Sequence, residues 1–257
     1  AKNFLKVSLD KTGLYNYQGK EIAQLKYSQL WFSGPNAIIA EENKKFGMLD
    51  TNNNIKIPFK YDYIIDPKDN ICVYRLNDKM GLVDVSGKEI TPATFSNINQ
   101  FRGGLALVSL NGKFGYINKE GKAITPIKYT YAEEFYSGSA KVEMNGKWGY
   151  IDSNGVEIVP VIYDWMDTQN GSNTIAVRLE NKYCYISTKG KIVIPIIYDV
   201  MAKDYNSDLI MVSIDGKYGC INIKGQEIVK PIYDKIEKIH MDLFMVQQFE
   251  KFGLIDG

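Results

Sequence analysis

The sequence predicts an all-β protein made of tandem three-stranded β-meanders of about 34 residues, stacked as an open solenoid or superhelix. Three observations carry that expectation. An aromatic-glycine pair recurs with its glycine at Gly47, Gly115, Gly149, Gly219 and Gly253; Gly13 and Gly81 keep the place behind Thr12 and Met80, and Cys184 substitutes for one glycine. A second landmark, Tyr27, Tyr61, Phe95, Tyr129, Tyr163, Tyr198 and Tyr233, repeats independently at the same 34- or 35-residue spacing. Between the landmarks lie short apolar runs bounded by turn signals, with no helical periodicity of useful length.

Each unit reads in the same order. A first strand such as LALVSL or SAKVEM ends at Asn111-Gly112, Asn145-Gly146 or Asp215-Gly216. Both central residues of a type I′ turn need positive φ, and these residue types tolerate it. The second strand follows as Lys-aromatic-Gly-apolar-apolar. Asp84 to Gly87, Asn118 to Gly121, Asp152 to Gly155 and Asn222 to Gly225 then mark a turn in which an Asp or Asn side chain accepts from the backbone. In the second unit Asn53 replaces the closing glycine. A third strand, such as VEIVP, is expected to end at its proline, which has no N–H for a further ladder.

A glycine inside a strand implies close approach of another group, and the expectation is that an aromatic of a neighbouring unit lies over it. One unit is too small to offset its own ordering entropy, so neighbours must share a core. Residues 1–257 therefore read as a single array of seven full repeats and a partial C-terminal one, with atypical ends. A closed β-propeller is the alternative; it is disfavoured because named propeller repeats run to roughly 40–50 residues.

Composition narrows the chemistry. The 31 Lys and Arg nearly balance 30 Asp and Glu, which gives no sign of a surface for nucleic acid. No apolar run reaches the roughly 18–20 residues of a transmembrane helix. Cys72, Cys184 and Cys220 read as small buried side chains, and His240 is the single histidine, so no His/Cys metal cage is expected. The run from Asp50 to Asn54 lacks the sixth-position glycine and twelfth-position glutamate of a calcium loop and reads as a polar turn. The repeated Asp-x-x-Gly does not suit a calcium ladder, since Asn118, Ser187 and Asn222 fill the same slot. No catalytic motif is present, and neither a cofactor nor an enzymatic activity is expected.

The strings NGKFGYINKEGKAITPIKY and NGKWGYIDSNGVEIVPVIYD resemble the WG-repeat family of bacterial proteins, also called KWG repeats, over almost the whole chain. Thr12, Met80 and Cys184 depart from its pattern. The resemblance implies a bacterial repeat protein, often exported or attached to the cell envelope, without a general catalytic role, and it carries over no ligand residues. An even charge balance and unpaired cysteines would equally suit the cytoplasm. Whether an export leader is encoded before Ala1 would decide between them.

The expected function is a non-enzymatic module that binds or scaffolds a protein or glycan partner. Alternatives are a cell-wall carbohydrate-binding domain and a regulatory domain of a larger enzyme. Aromatics in register with the repeat are expected in the core, and those outside it are the ligand candidates: Trp31, Tyr74, Tyr136, Trp165 and Tyr205. The segment from Tyr163 to Gly171 is a further variable patch.

Overall fold

A computed structural model describes residues 4–8, 10–34, 36–167, 174–203, 208–240 and 243–256. The chain divides into two compact units, Ala1–Gly138 and Ser139–Gly257. Strands, turns and loops make up both, and no helix occurs among the described residues. The strands form small antiparallel sheets, one per repeat, and none closes into a barrel.

Among the described residues, sheets one, four and eight have the expected three strands and the other five have four. In the first unit, sheet two runs Gln29–Phe32, Ile38–Glu42, Lys45–Leu49 and Ile55–Tyr61, and sheet three adds Tyr63–Ile64 to three longer strands in the same way. Sheets six and seven of the second unit repeat the arrangement, opening with Trp165–Met166 and Val200–Lys203. Each repeat thus begins one residue after the Tyr-Asp pair, with a short outer strand. Thirty-four residues accommodate four strands because that outer strand is only two to four residues long. The repeat length therefore gives no reason to prefer an open stack over a ring.

Local chemistry explains the regularity. The first hairpin turns take positive φ at both central residues, as at Asn145 (54°) and Gly146 (78°). The second turns are closed by side chains: Asp152 Oδ1 accepts from the amides of Asn154 and Val156, and Asp84, Asn222 and Ser187 do the same in their repeats. Asp50 accepts from Asn52 and Asn54, and the amides around it lower its carboxyl to about 2. The polar-turn reading of residues 50–54 matches this geometry.

Two expectations about the glycine and the proline are corrected. The third strand continues through its proline to the tyrosine, as in Glu157–Tyr163, by means of a wide bulge. Trp148 pairs with Tyr163 and Tyr150 with Val159, so Gly149 alone faces Pro160, Val161 and Ile162. The same bulge lies opposite Gly13, Gly47, Gly81, Cys184 and Gly219. What crowds the glycine belongs to its own sheet and not to a neighbour: a Cβ on Gly149 would lie 2.6 Å from Val159 O and 2.8 Å from Pro160 O, and one on Gly47 or Gly81 would also meet the Phe59 or Tyr74 ring of the same sheet. A bulge leaves residues unpaired, and proline suits such a place because it has no N–H to leave unsatisfied.

The core lies at the seams between successive sheets of each unit, because both faces of an inner sheet are covered. Tyr27, Tyr61, Tyr129, Tyr163 and Tyr198 are buried, as expected of the register aromatics. The ring before the glycine is less covered. Phe46 is buried, Trp148 and Tyr183 are half-buried, and Phe252 in the last sheet is exposed. None of the three cysteines forms a disulfide; burial pushes the Cys184 thiol up to about 11.

Candidate functional site

The aspartate of the Tyr-Asp pair has a role that the sequence reading left unassigned. Asp164 stands between sheets five and six and holds both. One carboxylate oxygen pairs with Lys147 of sheet five, and the other accepts the Glu180 amide at the hairpin turn of sheet six at 2.8 Å. Asp199 joins Lys182 to the Asp215 amide, Asp234 joins Lys217 to the Phe249 amide, and in the first unit Asp62 joins Lys45 to the Asn77 amide. In all four the lysine, followed by the turn amide, holds the carboxyl below the usual carboxylate range. Ser28, Ser96 and Thr130 occupy this position in the remaining repeats of the first unit.

The outer strand follows this clamp directly and alternates inward and outward. Its inward residue is apolar and buried: Leu30, Ile64, Ile98, Ala132 and Met166. The outward residue just after the clamp position is exposed in each of these repeats and varies among them, with only tyrosine occurring twice: Gln29, Tyr63, Asn97 and Tyr131 in the first unit; Trp165, Val200 and Lys235 in the second. Within each unit this row is the candidate functional surface. Repetition fixes where each residue stands, and variation decides what it offers. The signal was present in the sequence as an x-apolar-x triplet after Tyr-Asp, but it is too short to register as a strand. Tyr63 and Tyr131, at 42% and 44% exposure, were missed for that reason.

The five sequence candidates separate clearly. Trp165, 41% exposed, occupies the row itself, and Trp31 lies two residues further along the same face of its strand. Trp31 donates from Nε1 to Asp66 Oδ1 at 2.8 Å, an atom that also accepts from Ser33 Oγ, and its ring meets Phe46 edge-on. Tyr74 must be corrected. It is 1% exposed, packs on Tyr61 at 4.3 Å, and donates its hydroxyl to Thr91 O, so it belongs to the core and has no surface to offer a ligand. Tyr136 is 76% exposed and lies outside the outer strand Tyr131–Ala132 of its repeat. Tyr205 lies outside the described residues, as does the variable patch beyond Asp167. His240 is exposed on the outer strand of the last sheet.

Both tryptophan-bearing outer strands are held by a lysine from the preceding sheet. Lys6 Nζ donates to Leu30 O at 2.9 Å, and Lys141 Nζ to Met166 O at 2.8 Å. Lys141 is only 8% exposed and also sits 4.6 Å from the centroid of the Trp148 ring. A buried ammonium is costly unless paired, and a carbonyl oxygen and an indole face both compensate it. Beside Trp165 in the second unit is a cavity of about 280 Å³, lined by Trp165, Asp167, Tyr183, Tyr185, Met201 and Lys203 among others. The Trp165 and Tyr183 rings meet edge-on at 6.2 Å, and the Arg178 guanidinium lies 6.0 Å from the Tyr183 centroid.

These features define a protein of repeated small antiparallel sheets, locked at their seams and variable at one exposed position per repeat. The chain belongs to the WG-repeat family: the model of the WG containing repeat matches residues 46–79, 80–114, 114–148, 148–183, 185–218 and 218–251. No curated protein matches it. Among solved structures it is similar to Hsv2p of Kluyveromyces lactis, at 14% identity over 86% of this chain and 89% of that one, with a TM-score of 0.31. It is also similar to PorZ, a surface component of the type-IX secretion system of Porphyromonas gingivalis, at 9% identity over 100% of this chain and 44% of that one, with a TM-score of 0.32. Scores this low do not establish a shared fold. No helix among the described residues is long and apolar enough to cross a membrane.

Proposed function

We propose that this chain is a non-enzymatic interaction module that presents its outer-strand residues to a protein or glycan partner. The observation that carries the reading is the adjacency of clamp and display. In the second unit the variable residues Trp165, Val200 and Lys235 each follow an aspartate bonded to two sheets. A residue placed by seam bonds loses little further freedom on binding, which favours affinity. The aromatics Tyr63, Tyr131 and Trp165 supply rigid contact area of the kind enriched at interfaces. An envelope location belongs to the same proposal; it is supported by the family resemblance and is checked by cell fractionation.

The test is a triple variant, Tyr63→Ser, Tyr131→Ser and Trp165→Ser, compared with the parent in crosslinking capture. The expected result is an unchanged β-sheet circular dichroism spectrum with loss of the captured partner. A partner kept in full by the folded variant overturns the display reading. Turnover of a substrate at a defined site overturns the non-enzymatic one.

A further inference from the structure

We propose that the cavity beside Trp165 is a binding site for one pyranose ring of a glycan. The proposal rests on the display reading and names a ligand class for one of its positions. Trp165 provides an exposed indole, and the half-buried Tyr183 and the buried Tyr185 provide further aromatic lining. The apolar C–H face of a sugar ring stacks on such surfaces, as flat amphipathic groups do on aromatic rings generally. The volume, about 280 Å³, lies just under the range of sites for larger organic ligands, and so suits a single ring better than an extended chain.

The polar residues around the cavity select among ring-shaped ligands. Asp167, just after the outer strand of sheet six, and Lys203, on that of sheet seven, both line it. An ionised carboxylate only accepts hydrogen bonds and an ammonium only donates them. Sugar hydroxyls do both and satisfy the two together. A prolyl ring, the other common guest of aromatic grooves, brings a carbonyl acceptor for Lys203 but no hydroxyl group to donate to Asp167. The site is also held from behind: Lys141 bonds the carbonyl of Met166, the residue between Trp165 and Asp167. The two cavity-lining residues on either side of that carbonyl are thereby placed before any ligand arrives.

The experiment is calorimetric titration of the full chain with chitotetraose, cellotetraose and a proline-rich peptide, with tryptophan fluorescence read in parallel. Saturable binding of at least one oligosaccharide is expected. It should weaken about tenfold in Trp165→Ala and clearly in Lys203→Met, a change at a partly exposed side chain that leaves the core intact. Trp165→Phe should retain most of the binding, and Trp31→Phe should leave it unchanged. Thermal midpoints of the variants verify folding. The proposal is overturned if neither sugar binds, if binding ignores both Trp165→Ala and Lys203→Met, or if only the peptide binds. A flat sugar titration alongside partner capture that still depends on the display row removes the sugar site alone. Failure of both experiments removes the module reading as well.

Discussion

Within the second unit, the seams between sheets five and six, six and seven, and seven and eight are closed by the same lysine–aspartate–turn clamp, through Asp164, Asp199 and Asp234. Within the first unit, among the described residues, only the seam between sheets two and three has it, through Asp62. There the neighbouring contacts are individual. Lys6 reaches Leu30 O, Lys26 pairs with Glu42, Trp31 and Ser33 share Asp66, and Asn99 and Arg102 share Glu134. The difference teaches that the repeat needs its seams closed but does not need one residue type to close them. A recurring clamp gives uniform placement of the display residues, and substitute contacts free the repeat to vary around them.

Four experiments would break or sharpen this comparison. The largest effect is expected at the bulge, which both units share and which is looser at Gly13 of the first sheet than at Gly219 of the seventh. A Cβ on Gly219 would come within 2.5 Å of Val229 O, whereas one on Gly13 would sit 3.0 Å from Leu25 backbone. Gly219→Ala should cost about 3 kcal/mol in urea unfolding and Gly13→Ala about 1 kcal/mol. Equal costs would refute the bulge argument.

Next in size is the clamp itself. Asp199→Ala removes both the Lys182 pair and the acceptor of the Asp215 amide. It should lower Tm more than Lys182→Met, which removes only the first, and far more than Ser96→Ala at the equivalent position of the first unit. A smaller effect is expected from transferring the device. Ser96→Asp places a carboxylate 17 residues after Lys79, as in the clamped repeats, and should add at most about 1 kcal/mol, the range of exposed ion pairs. A destabilising result would show that the Ser96 seam is shaped against the clamp.

The smallest effect is one of pH. The carboxyls of Asp164, Asp199 and Asp234 are lowered by their lysines and turn amides. Their contribution is therefore complete above the unfolded value of 3.8 and is lost as pH falls through each lowered folded value. Hydrogen exchange at the amides of Glu180, Asp215 and Phe249 should accelerate below about pH 4, beyond the intrinsic trend. The amide of Asn111, whose seam carries Ser96, should not. Parallel behaviour at all four would mean that the carboxylates do not hold the turns.

Much of this fold was legible because it is local. Asn145-Gly146 and Asp152 to Gly155 specify their turns within four residues, and the structure shows both. The glycine and the proline were legible as markers, but their partner was misjudged. The bulge that joins Gly149 to Pro160 lies across a hairpin, and strand alternation alone does not reveal three residues opposing one. Tyr74 shows the limit for the candidate site. Departure from register marked it as variable, yet its neighbour Tyr61 comes from the preceding sheet and covers it.

The sequence by itself determined the period, the class of fold, the turn types and the buried register tyrosines, since each follows from backbone preferences and apolar spacing within one repeat. Only the tertiary structure decided that a fourth strand forms, that Asp164 and its counterparts bind two sheets, and which aromatic rings face solvent. Those outcomes depend on what lies across a seam, some 17 residues away along the chain, where side-chain pairing and burial are set by packing and not by local propensity.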